Sequence, residues 1–225
     1  LIIFETDGAP NSRAIANMSG SGADSYYAIR VHNPQNLSDP TNVEWPSGGS
    51  YGNAEVYGVV QQIAALTTAN VAALCELVRG SQVLAAVKAD GYGHGMVPAA
   101  RAALAGGAAW LGVADLDEAV ALRRAGLTAP VLCMMTFGDP AEAVRHDIDL
   151  AAGSAGYVAA VEAAAVRVGV QARLHLKADT GLSRGGATPA DWPGVVAAAL
   201  AAQARGSIRV TGLWSHFACA DMPGH

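Results

Sequence analysis

The chain has 225 residues, 52% hydrophobic, 15% charged and 6% aromatic, with 14 basic against 19 acidic side chains and a formal charge of −5. An acidic balance excludes the basic footprint of a nucleic-acid binder, and the apolar fraction at low charge density excludes a mainly disordered chain. No run reaches the ~18 uninterrupted apolar residues of a membrane span, and no basic-then-apolar leader opens the sequence.

Three cysteines, Cys75, Cys133 and Cys219, sit in apolar surroundings without CxxC spacing. They indicate neither a disulfide framework nor a zinc site, so a soluble protein of a reduced cytoplasm is expected. The first residue is Leu1 rather than Met, which leaves room for a missing N-terminus.

In chain order, Leu1–Gly8 reads as a buried strand running into an acidic turn, Tyr26–Val31 as a second strand and Glu55–Leu66 as a helix. Only 5 of the 48 alanines fall in the first 50 residues, a stretch rich in Ser, Asn, Gly and Pro. From about Thr67 the chain turns Ala/Val/Leu-rich and periodic. The break predicts two segments, residues 1–66 and 67–225, meeting near Gln61–Thr68.

The second segment alternates β-branched runs with helical patterns. Val83–Val87, Trp110–Val113, Val131–Met134, Asp149–Ala152, Arg173–Leu176 and Ile208–Trp214 are expected strands. Met96–Ala105, Leu116–Ala125, Pro140–His146, Ala155–Val168 and Ala190–Ala204 are expected helices. Gly126 is placed to close one helix, and Asp139-Pro140 to open another with proline in its first turn.

Strand and helix at intervals of roughly 20–35 residues are parallel βα units, in an open doubly wound sheet or a (β/α)₈ barrel. No GxGxxG follows the first strand, which favours the barrel. Six strands fall short of the eight, in about 250 residues, of a closed one. The expected class is therefore α/β, a partial (β/α)₈ barrel of about six units that stops before closing.

Of 14 basic residues only Lys88 and Lys177 are lysines. Each ends a predicted strand and each is followed by Ala-Asp, at the edge where βα barrels assemble active sites. An amine against apolar strand walls loses hydration, and its pKa falls toward the range of Schiff-base chemistry.

These residues carry a resemblance. Ala85-Ala86-Val87-Lys88-Ala89-Asp90-Gly91-Tyr92-Gly93-His94-Gly95 is similar, nearly letter for letter, to the pyridoxal-phosphate attachment motif of alanine racemases. Gly112–Ala119, Leu176-Lys177-Ala178-Asp179-Thr180-Gly181-Leu182-Ser183-Arg184 and Gly212–Ala218 continue it in the family's order.

The resemblance implies that Lys88 carries the cofactor as an internal aldimine and later moves the Cα proton. Tyr92 donates its hydroxyl to the cofactor phosphate. Arg184 binds the cofactor's phenolic oxygen and the substrate carboxylate, for which a planar, permanently charged fork is suited. His216 stacks on the pyridine ring. Lys177 corresponds to a lysine often carbamylated in the family, there orienting the arginine.

It further implies an alanine substrate, D-alanine for peptidoglycan, a cytoplasmic homodimer, and neither nucleic acid nor membrane as partner. Two positions depart from the family's pattern, Ser183 where glycine is common and Gly185 where an apolar residue is usual. The family's tyrosine base for the opposite face lies in a C-terminal β-domain that this sequence does not reach. With the last strand of the partial barrel left without its neighbour, residues 1–225 alone are expected to aggregate or need a partner, and without that base not to racemise.

Alternatives are a racemase or decarboxylase for another amino acid, a non-catalytic pyridoxal-phosphate-binding barrel, and an interaction module governed by residues 1–66. In that segment Thr6-Asp7-Gly8 is faintly similar to the late metal-site loop of von Willebrand factor A-type domains. The Asp-x-Ser-x-Ser motif of those domains is absent. Asp7 thus reads as a turn aspartate, and no metal site is expected.

Overall fold

The structure, a computed structural model, describes residues 2–4, 30–31, 43–44, 53–135 and 137–218, with side chains from residue 63 onward. The chain divides into two units, Leu1–Leu111 and Gly112–His225. The turn at Glu5–Gly8, with Asp7, and residues 26–29 of the second predicted strand lie outside the described residues.

In the first unit, β1 (Ile2–Phe4) pairs in parallel with β4 (Val83–Ala86), Ile2 against Val83 and Phe4 against Ala85. A short antiparallel pair joins β2 (Arg30–Val31) to β3 (Val43–Glu44). Helix α1 (Asn53–Leu77) is much longer than the predicted Glu55–Leu66 and runs unbroken through Leu66 and Thr67. Two consecutive threonines disfavour a helix, but here their hydroxyls donate back to the carbonyls of Ile63 and Ala64, each at 2.9 Å. The surrounding alanines supply the helix propensity.

Helix α1 also packs closely on α3 (Met96–Ala105), since Val71 buries against Ala103 and Ala108. A Cβ at Gly106 would stand 2.5 Å from the Thr68 carbonyl oxygen, so only glycine admits this approach. Between β4 and α3 lies one helical turn, α2 (Lys88–Tyr92), and the unit ends within β5 (Trp110–Val113).

The second unit continues with α4 (Leu116–Arg124), β6 (Val131–Cys133), α5 (Pro140–Arg145), β7 (Asp149–Ala152), α6 (Ala155–Val168), β8 (Ala172–Ala178), α7 (Trp192–Ala204) and β9 (Ile208–Ser215). Strands β6 to β9 pair in parallel in chain order. Leu122, Val131, Leu132, Val161, Leu174 and Ile208 are fully buried, each contributing about 1.5–3 kcal/mol of transfer free energy.

One helix start follows the punctuation read from the sequence, and a second is capped in the same way. Asp139 accepts from the Ala141 amide ahead of Pro140, and Asp115 accepts from the Glu118 amide. Gly126 follows α4 at φ +80°. Burial pushes the Cys133 thiol up to about 12, as for an inert core cysteine. The six predicted strands and the five predicted helices between them are present, and among the described residues no helix is long and apolar enough to cross a membrane.

Candidate functional site

Strand β4 drives Val83 and Leu84 into the core, Val87 is buried after it, and Lys88 follows half-buried at the strand's carboxyl end. The turn α2 is left-handed: Ala89, Asp90, Gly91 and Tyr92 have φ of 53°, 53°, 59° and 56°. For each non-glycine residue this conformation costs roughly 1–2 kcal/mol, so the surroundings must impose it.

They do so through hydrogen bonds. Gly91 N donates to Val87 O at 2.9 Å, and Gly95 N to Asp90 O at 2.9 Å. The Asp90 carboxylate accepts from Met96 N at 2.7 Å, tying the turn to the first residue of α3. Gly91 is buried, and a Cβ there would meet the Ala99 Cβ at 3.1 Å. The outcome is a lysine and a phenol presented from one rigid turn, with the Tyr92 hydroxyl buried. Asp90 lies in the Ala85–Gly95 run singled out in the sequence, yet its bond to Met96 N depends on a turn of a hand that the sequence does not announce.

In the second unit Lys177 is 5% exposed in β8, with Nζ 4.5 Å from the Trp214 ring centroid and 3.5 Å from the Met134 carbonyl oxygen. The chain then makes a closed loop. Ala187 N donates to Lys177 O and Asp179 N to Ala187 O, both at 2.8 Å, so residues 179–187 leave the strand and return to it.

The Asp179 carboxylate accepts from the amides of Gly181 and Ser183, both at 2.9 Å, which hold its pKa below the usual carboxylate range. Thr180 and Ser215 hydroxyls meet at 2.5 Å, fastening the loop to the end of β9. Arg184 rides exposed on this loop.

Ser183 has φ +57°, which explains why a glycine suits this position; serine there adds about 1 kcal/mol of backbone strain. Gly153 and Gly186 let the loop seat on backbone. A Cβ on Gly153 would fall 2.0 Å from the Gly185 carbonyl oxygen, and one on Gly186 would fall 2.6 Å from the Ala178 carbonyl carbon. His216 follows β9, half-buried, two residues beyond Trp214.

The structure thus brings together Lys88 with Tyr92, and Lys177 with Trp214. It adds residues that the sequence reading did not single out, namely Trp214 and a cluster in which Arg173 and Thr211 gather on the buried Asp149 and His175. The signal for the first was its alternation with His216 along a strand. For the second it was the alternation of Arg173, His175 and Lys177, three polar residues on one face of a buried strand.

The family model for the N-terminal domain of alanine racemase matches residues 64–225. The alanine racemase of Salinispora arenicola is 57% identical over 147 residues, covering 64% of this chain and 40% of its own length. That of Frankia casuarinae is 50% identical over 184 residues, covering 81% and 48%. The crystal structure of alanine racemase from D-cycloserine-producing Streptomyces lavendulae superposes with a TM-score of 0.70 at 49% identity, covering 72% of this chain and 43% of that one. The chain spans a little under half the length of these relatives.

Proposed function

The chain belongs to the alanine racemase family, and from that premise we propose that the complete protein interconverts L- and D-alanine with pyridoxal 5'-phosphate. The observation that carries the reading is Lys88 at the carboxyl end of β4, sharing one left-handed turn with Tyr92. In this reading residues 67–225 are the cofactor-binding barrel portion and residues 1–66 a separate segment. The family match from Ala64 onward supports the barrel portion, while helix α1 runs through the junction itself. The protein works as a cytoplasmic homodimer and its D-alanine serves peptidoglycan.

The residues present fit the cofactor. Lys88 offers an amine beside the buried Val83, Leu84 and Val87, and Tyr92 offers a hydroxyl sheltered from water in the same turn. When bound, pyridoxal phosphate supplies an electron sink for the pair left behind as the Cα proton departs. Lys88 is then the base and acid for one face of Cα, its half-buried position keeping competing water away. Tyr92 would donate to the cofactor phosphate.

Arg184, with its planar charged fork, would hold the substrate carboxylate, and His216 would pack on the cofactor's ring. Lys177, if carbamylated by carbon dioxide, would orient Arg184. The partner subunit supplies the acid/base group for the opposite face.

The test is direct. Full-length protein loaded with pyridoxal phosphate is expected to form D-alanine from L-alanine and the reverse, followed by chiral chromatography. Cofactor binding without interconversion of either enantiomer would overturn the proposal. Within it, Arg184→Lys keeps the charge and loses the fork, so kcat/KM should fall by an amount worth about 2–4 kcal/mol. Steady-state kinetics of the variant check this, and unchanged kinetics would leave Arg184 a surface residue.

A further inference from the structure

Strand β9 carries one residue more than β8 can pair. Leu174 stands opposite Val210 and His175 opposite Gly212, which leaves Thr211 as the bulged residue. Beyond it the register resumes, with Lys177 opposite Trp214 and Ala178 opposite Ser215. A one-residue slip exchanges the two faces of a strand. Without the bulge Leu213 would stand opposite Lys177; with it, Trp214 does. Burial follows the same division, Trp214 being 8% exposed and Leu213 66%.

The bulge is held from three strands. The Thr211 hydroxyl lies 3.1 Å from Asp149 Oδ2 and 3.4 Å from the Leu174 carbonyl oxygen. Asp149, on β7, is fully buried. On β8, Arg173 Nε donates to its Oδ1 at 2.6 Å, and His175 Nε2 lies 3.3 Å from its Oδ2. An ionised carboxylate only accepts, so His175 carries its proton on that nitrogen.

The residue after the bulge must be glycine, because a Cβ on Gly212 would sit 2.4 Å from His175 Nδ1. Burying a carboxylate is expensive even when it is paired, and the best attested return for such a group is the choice of one register over another.

We propose that Asp149, His175 and Thr211 form a register lock that places Trp214, and with it the following His216, on the Lys177 face, making the three positioning residues for racemisation. The proposal rests on the function proposed above. His175 and Lys177 alternate on one strand, as do Gly212 and Trp214 on the next, so the lock acts two residues before the groups it aligns.

The experiment uses the full-length protein with pyridoxal phosphate and 5-fluorotryptophan, the Trp214 signal being assigned by its loss in Trp214→Phe. Thr211→Val keeps the shape and removes the hydroxyl. The Trp214 resonance is expected to shift or split while those of Trp45, Trp110 and Trp192 stay in place. The value of kcat should fall about tenfold or more with KM little changed, as for a small misplacement of reacting groups. Thr211→Ser, which keeps the hydroxyl, should restore both.

If the valine variant does not fold, His175→Gln is read in its place, with the same shift expected. An unmoved Trp214 resonance, a serine variant as impaired as valine, or a shifted resonance with unchanged kcat would each overturn the proposal. A wild-type protein that makes no D-alanine, yet whose Trp214 resonance moves in Thr211→Val, would retain the lock and discard the racemase reading.

Discussion

Lys88→Ala in the full-length protein should lower kcat for alanine racemisation by at least about 10³-fold at saturating pyridoxal phosphate. In the proposed function the change would remove both the attachment of the cofactor and an amine that moves the Cα proton. General acid–base catalysis alone contributes roughly 10²–10⁴-fold. Because Lys88 is half-buried at a strand end, its truncation opens no large cavity, and the far-ultraviolet circular dichroism should match wild type. Kinetics beside that spectrum separate lost chemistry from lost fold. A well-folded variant turning over near the wild-type rate would contradict the role given to Lys88.

Asp149→Asn should have the largest effect on stability. The fully buried carboxylate gathers Arg173, His175 and Thr211, and the amide cannot accept from all three. A loss of about 2–4 kcal/mol at neutral pH is expected, in the range for breaking a buried, hydrogen-bonded charge pair.

The pH dependence has a definite sign. Burial pushes the Asp149 pKa up, but the hydrogen bond from His175 and the Arg173 guanidinium outweigh this and hold it below the usual carboxylate value. Its stabilisation is therefore complete above about pH 5. It is lost as pH falls through ~3.9, the unfolded value, toward the lower folded one. Denaturant midpoints of wild type and variant should lie well apart at pH 7 and draw together toward pH 3. A separation constant across that range would contradict the assignment.

The βα rhythm was legible because local rules agreed with the fold. Met96–Ala105 and Ala155–Val168 match α3 and α6 end for end, and Asp139-Pro140 caps α5 as read. Strand ends were less legible. β8 extends to Ala178 beyond the predicted Leu176 because pairing with β9 continues through Lys177, a residue with little strand preference of its own. The composition break near Thr67 hid a continuous helix, since threonines bonded back to their own helix do not end it.

At the site, Lys88, Tyr92, Lys177, Arg184 and His216 could be named from motif and resemblance. The left-handed run through Ala89 and Asp90 could not, since neither residue prefers that region unaided. The bulge at Thr211 was equally hidden, because it is decided by a carboxylate 62 residues earlier in the chain.

In the proposed function Lys88, not the other lysine of the chain, is where the cofactor attaches. Borohydride reduction of the full-length protein loaded with pyridoxal phosphate, followed by peptide mapping, tests it most directly. A stable pyridoxyl label is expected on Lys88, absent from Lys88→Ala. A label on Lys177, or one that persists in the Lys88→Ala protein, would contradict it.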